Sequence, residues 1–309
     1  MSEKIKLTFP DGNTRSVDKG TIGQSIAESI SKSLAKETIA IEFDGKLCDV
    51  SCSINNDTTI QIIKRDDDQA LELIRHDCAH VMAESVQELF PGTQVTIGPA
   101  IENGFYYDFA RETPFTTEDL GIIEKKMHEI ISKGQSFKRE VWQRSEAIDY
   151  FTKKGESFKA EIIQDLPDSE EITIYKQGEW LDLCRGPHMP STKHVGNAFK
   201  LMKVAGAYWR GDSNNEMLQR VYGTAWENKK DLEDYLHRLE EAEKRDHRKI
   251  GKVQDLFHTQ EEAPGMIFWH PKGWALYQLI VQYMSQVYKD NGYLEVNTPE
   301  LIDRTLWEK

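Results

Sequence analysis

Two pairs of side chains at four-residue spacing carry the most visible chemistry in the sequence. His76 and His80 stand in LELIRHDCAHVMAESVQELF, a run with helical periodicity, so they fall one turn apart on one face, as metal ligands and acid–base partners do. Cys184 and His188 stand in WLDLCRGPHMP, where Pro187 lacks an N–H and restrains Arg185-Gly186, which puts this pair on a turn. Three imidazoles and one thiol make a donor set suited to tetrahedral zinc. The same groups could instead hold a polar substrate and a water without metal, as a general-base cluster. Spacing alone leaves both readings open. On a helical wheel Leu71, Ile74, Cys78, Val81, Met82 and Leu89 form the apolar face, and the two histidines fall nearly opposite its centre, so they are expected to point away from the core.

The elements that would position these groups can be read along the chain. From Lys4 to Lys64, KIKLTF alternates, turns at Pro10-Asp11-Gly12-Asn13 and resumes at Thr14; a helix QSIAESISKSLA follows with Ile26, Ile30 and Leu34, then strands TIAIEFDGKLCDV and TTIQIIK. That ββαββ order predicts a small β-grasp module over 1–64. Residues 65–225 mix long helices with strand-like runs (TQVTIGP, GFYYDFA, ITIYKQGEWLDL, FKLMKVAGAYW) and predict an α+β domain. In it, Lys159 follows a glycine break at Gly155 and is read by composition alone as a surface lysine, and GAYWRGDSNN reads as a loop whose aromatic and Arg side chains could stack on an RNA end. Residues 226–250 predict one exposed, charge-laced helix. From Gly251 the chain turns aromatic and apolar, with a helix expected over 273–291 and a strand ending near Pro299.

Composition bounds the function. At 309 residues there is length for about two domains. The formal charge of −13 argues against a nucleic-acid binder that relies on bulk charge, leaving only local basic patches such as Lys138-Arg139 and Arg248-Lys249. The four cysteines are irregularly spaced and read as free thiols or metal ligands. No stretch reaches the ~18 apolar residues of a membrane span, and MSEKIKLTFP has no apolar signal core, so a cytoplasmic protein without a membrane partner is expected.

The runs RHDCAHVMAES, IGPAIENGFYYDF, DLCRGPHMPS, FKLMKVAGAYWRGDSNNEMLQRVYGTAW, KRDHRKIGK and QEEAPGMIFWHPKGW together resemble bacterial threonyl-tRNA synthetases, along essentially the whole chain. The resemblance implies an α+β multidomain protein: a TGS β-grasp domain (1–64), an editing domain (65–225), a linker helix (226–250), and the start of a class II antiparallel-sheet catalytic domain (251–309) with motif 1. It implies an enzyme that attaches threonine to tRNA(Thr) with ATP, as a homodimer, using ATP, Mg and Zn at a synthetic site that would lie beyond Lys309. It also implies hydrolysis of Ser-tRNA(Thr), because threonine and serine differ by one methyl group, worth only about 1–3 kcal/mol in a pocket. By resemblance His76, His80 and Lys159 are catalytic, with Lys159 and His76 activating or positioning water. Asp182, Cys184, His188 and Tyr106 shape the pocket and hold the seryl moiety and terminal adenosine. The editing pocket is expected to work without metal, since four ligands would close the coordination sphere; if zinc binds, His76, His80, Cys184 and His188 are the ligands. Two other functions share parts of the pattern: a stand-alone trans-editing aminoacyl-tRNA deacylase, and a non-catalytic TGS-containing RNA-binding regulator.

Overall fold

The computed structural model describes residues 3–299 and 303–308. The chain is mixed α and β and divides into two compact units, one up to Asp234 and one from Tyr235 onward. The first unit opens with β1 (Lys4–Thr8), β2 (Thr14–Asp18), β3 (Thr21–Ile22), α1 (Gly23–Ile30), α2 (Lys32–Glu37), β4 (Thr38–Phe43), β5 (Lys46–Cys48), β6 (Ser53–Ile54) and β7 (Thr58–Lys64). The alternation of KIKLT turns Ile5 and Leu7 inward, and the turn after it is closed by Asp11, whose carboxylate accepts the Asn13 N–H at 2.9 Å. Strand order is β2-β1-β7-β4-β5, with β1 and β7 parallel. Ile26 of α1 packs on Ile5, Leu7, Ile41 and Ile60. The expected single helix is two. Ser31 is extended and its hydroxyl accepts the Leu34 N–H at 3.0 Å, which starts α2 and leaves Ile30 exposed.

The same unit continues with α3 (Ala70–Leu89), β8 (Gln94–Val95), β9 (Ala100–Ile101), β10 (Gly104–Ala110), α4 (Thr117–Lys133), β11 (Phe137–Trp142), α5 (Arg144–Lys154), α6 (Ser157–Asp165), β12 (Ile172–Gln177), β13 (Trp180–Leu183), β14 (Phe199–Tyr208) and β15 (Met217–Ala225). One antiparallel sheet runs β14-β15-β10-β8, with β9 on β10; a second runs β11-β12-β13. α3 lies between them. Its apolar side, Leu73, Ile74, Cys78 and Met82, packs with Phe105, Tyr107 and Phe109 of β10 and Ile123 and Met127 of α4.

The two histidines lie on its other side, as the wheel turns them. His76, His80, Glu84 and Gln87 form a polar stripe at successive turns, and that stripe faces protein rather than water. Cys184 lies against His76, the Trp180 ring stands edge-on to His80 with centroids 5.9 Å apart, Gln177 donates to Glu84, and Trp180 Nε1 donates to Gln87 at 2.7 Å. His80 is only 3% exposed.

α7 (Lys229–Lys244) spans the division between the units, and α8 (His247–Val253), β16 (Phe257–His258), β17 (Phe268–Trp269) and α9 (Pro271–Asp290) follow. The single helix expected over 226–250 is interrupted. Asp246 leaves helical geometry and its carboxylate accepts the Arg248 N–H at 2.8 Å, capping a new helix. Pro271, with its fixed φ, occupies the first turn of α9, two residues before the expected start. The expected strand before Pro299 is absent among the described residues, where 293–299 are irregular.

Candidate active site

The cluster forms where the N-terminal half of α3 meets the turn after β13. Nε2 of His76 and Nε2 of His188 lie 3.1 and 3.3 Å from Cys184 Sγ, and one ligand atom from each of His76, His80, Cys184 and His188 lies within 4.8 Å of the others. The three rings are packed together, with centroids 4.5–4.9 Å apart. Such packing requires uncharged imidazoles. Burial supplies them, holding His76 and His188 down to about 4 and His80 well below its ordinary value. Burial likewise pushes the Cys184 thiol up to about 12.

The turn is shaped by Gly186, which sits at φ +69° where a Cβ would also collide with the Tyr175 hydroxyl. Its N–H donates to Cys184 Sγ at 3.3 Å. Asp77, adjacent to His76 on α3, orients the far end: Oδ1 lies 2.6 Å from His188 Nδ1 and Oδ2 accepts the Met189 N–H at 3.0 Å. Burial pushes the Asp77 carboxyl up to about 8, so this is a neutral pair with one proton between Oδ1 and Nδ1.

Lys159 is not a surface residue. It is 2% exposed; its Nζ lies 2.5 Å from Asp182 Oδ1 and donates to the Tyr107 hydroxyl at 3.0 Å, which in turn donates to Asp182 Oδ2 at 2.5 Å. Asp182 stands two residues before Cys184, which joins this closed triangle to the cluster, and the lysine charge acts on both His80 and Cys184. α6 carries Lys159 inward on its buried side together with Ala160 and Ile163, which pack on Phe151 and Ile172, while Glu161 and Gln164 take the exposed side.

Tyr106 is misplaced by the sequence reading. β10 alternates, so Phe105, Tyr107 and Phe109 face the core while Tyr106 faces the other side, under the Arg220 guanidinium at 3.8 Å and beside Tyr222. Tyr107 is the tyrosine of the site. Its period-2 partnership with Phe105 and Phe109 was the available signal. Of the aromatic and Arg side chains in the GAYWRGDSNN loop, Trp209 is packed on Phe158 and Arg210 is paired with Glu161 and Asp165, which leaves Tyr208 as its exposed aromatic ring.

The donor chemistry fits zinc: three neutral imidazoles, a thiol, an Asp77–His188 contact of the kind that orients a ligating histidine, and a buried His80 Nδ1 without a hydrogen-bond partner. A zinc held by all four would be a closed site, while one with an open position would activate water.

A TGS domain model matches residues 5–64, and the threonyl and alanyl tRNA synthetase second additional domain matches residues 172–222, which contain Asp182, Cys184 and His188. The chain carries both domains. Along 308 residues it is 60% identical to the threonine–tRNA ligase of Bartonella tribocorum, 59% to that of Brucella melitensis biotype 2 and 60% to that of Agrobacterium fabrum, covering all of this chain and 47%, 47% and 46% of those proteins. The chain thus spans about half the length of the curated relatives it matches, over their N-terminal part. His76, His80 and Lys159 precede the matched stretch of the second additional domain, yet the fold brings them to it.

Proposed function

We propose that this chain hydrolyses seryl-tRNA(Thr), as the editing part of a threonine–tRNA ligase that joins threonine to tRNA(Thr) with ATP. The observation that carries the reading is the Lys159–Asp182–Tyr107 triangle on the His80 and Cys184 side of the cluster, with His76, the half-buried histidine of the neutral set, against Cys184. A ligase needs such a site because one methyl group cannot support adequate discrimination in a synthetic pocket. In the reaction the water oxygen bonds to the ester carbonyl, the ester C–O bond breaks, and the water proton ends on the ribose oxygen. His76, neutral at pH 7, accepts a hydrogen bond from the water and passes its proton on as the bond forms. The Lys159 ammonium, held by Asp182, stabilises the oxyanion or holds the water. Cys184, His188 and Asp182 shape the pocket around the serine. The stretch from 251 is proposed as the start of a class II catalytic domain, a homodimer in the full protein; exposed Trp274, Tyr277, Ile280 and Tyr283 on α9 support a further covering body. No helix among the described residues is long and apolar enough to cross a membrane, which suits the proposed cytoplasmic setting.

Single-turnover hydrolysis tests the reading. Serine release from Ser-tRNA(Thr) should exceed threonine release from Thr-tRNA(Thr) by at least about tenfold; equal release, or none above the uncatalysed rate, would exclude it. In the same assay Tyr107→Phe should lose about tenfold while Tyr106→Phe stays within about twofold, because only Tyr107 reaches Lys159 and Asp182. The working pocket is proposed to be metal-free, with the imidazole nitrogens left to hold water and substrate. Protein treated with chelator, and shown by elemental analysis to hold no zinc, should therefore retain full hydrolysis. Stoichiometric zinc whose removal abolishes release would overturn that.

A further inference from the structure

Two consecutive backbone N–H groups in the turn after β13 each end on a carboxylate, and the two carboxylates come from different domains. Met189 donates to Asp77 of α3, whereas His188 donates to Asp49 Oδ1 at 2.7 Å. Asp49 lies between β5 and β6, inside the stretch matched by the TGS domain, and is 6% exposed. Its second oxygen accepts the Tyr175 hydroxyl at 2.7 Å. Tyr175 in turn lies against the His188 ring, centroids 4.3 Å apart, and its hydroxyl fills the space beside Gly186. Asp49 therefore grips the turn twice, through the His188 backbone and through Tyr175. It is itself fixed: its carbonyl accepts the Cys52 N–H at 3.0 Å, and the neighbouring Val50 carbonyl accepts the Gln24 N–H at 2.8 Å.

A tether between the two domains would not need this arrangement. Arg65, directly after the matched TGS stretch, already anchors the junction by donating to the carbonyls of His194, Val195 and Glu227, away from the turn. Asp49 differs because its contacts end on the residue whose Nε2 faces Cys184. We infer that Asp49 is a positioning residue of the hydrolytic site, so that the TGS domain supplies the acceptor that sets the His188 turn. The inference rests on the proposed hydrolysis. Without that acceptor a buried N–H is left unpaired and the turn relaxes toward other partners. Asparagine would keep both contacts, accepting from His188 and donating to the Tyr175 oxygen; alanine would keep neither.

The test uses the whole chain as wild type, Asp49→Ala and Asp49→Asn, with two readouts: steady-state serine release and amide hydrogen exchange at His188 followed by NMR. Asp49→Ala should lower kcat by about tenfold with KM within about twofold, as for outer-shell positioning groups, and Asp49→Asn should stay within about threefold of wild type. The His188 amide should exchange at least about tenfold faster in Asp49→Ala, while the Ile174 amide in β12 keeps its wild-type rate. If the wild type proves inactive on seryl-tRNA, only the proposed function falls, and the His188 amide still decides the role of Asp49. Unchanged exchange at His188, acceleration shared by Ile174, or equal kcat losses in the Ala and Asn variants of an active chain would each overturn the inference.

Discussion

Replacing Lys159 by methionine should slow serine release by about 10²–10⁴-fold, the range expected when a charged group acting on the transition state is removed. The same change should destabilise the chain by about 3–5 kcal/mol, because it leaves Asp182, 1% exposed, as a buried carboxylate with its ammonium partner gone. These two effects have different origins and a second substitution separates them. In Lys159→Met/Asp182→Asn no charge is left unpaired, and the amide oxygen of the introduced asparagine can still accept from Tyr107, so most of the stability should return. Hydrolysis should not return, since no ammonium faces the substrate. Urea unfolding and single-turnover release on the two variants check this. A double variant that regained release would show that Lys159 serves only to neutralise Asp182.

Part of this site was legible in the sequence because its signals are local. The i, i+4 spacing of His76 and His80 needs only a helix, and Pro187 alone keeps Cys184 and His188 on a turn. The wheel turns His76 and His80 away from the apolar core, and so they lie, but the polar stripe they head is covered by a second sheet with groups that satisfy it, Gln177 on Glu84 and Trp180 on Gln87. A hydropathy pattern cannot distinguish water from a polar protein partner on the far side of a helix. The same limit hid Lys159 on α6, which is buried against Asp182 from β13. Tyr106 was a different kind of miss, a choice between adjacent tyrosines that the two-residue period of β10 decides in favour of Tyr107. Asp49 and Asp77 left no sequence signal, because their partners are backbone N–H groups and such partners have no residue type.

Stability should peak a little above pH 6 and fall by about 2 kcal/mol on acidification to pH 4.5, because the folded and unfolded chains bind different numbers of protons across that range. Unfolded imidazoles take up protons below about 6.5, whereas burial holds His76 and His188 at about 4 and His80 lower still. Through that window the unfolded state binds up to three more protons at these sites, so stability falls as pH falls. Two buried carboxyls act in the opposite sense. Asp77 is pushed up to about 8 and Glu84 to about 7, so the native state keeps two protons that the unfolded chain has released above about pH 4.5. The balance grows from about zero a little above pH 6 to about one proton in favour of the unfolded state near pH 5. Above pH 6.5 the imidazoles no longer contribute, and the two carboxyls make stability fall as pH rises toward 7. The count at the Asp77–His188 pair is the same whichever atom holds the shared proton. Urea unfolding of chelator-treated protein at pH 4.5, 5.5 and 6.5 measures the slope, and a flat or rising stability on acidification would refute the neutral cluster. Asp77→Asn removes one opposing carboxyl, so whatever it does to the absolute stability, it should about double the slope on the acid side.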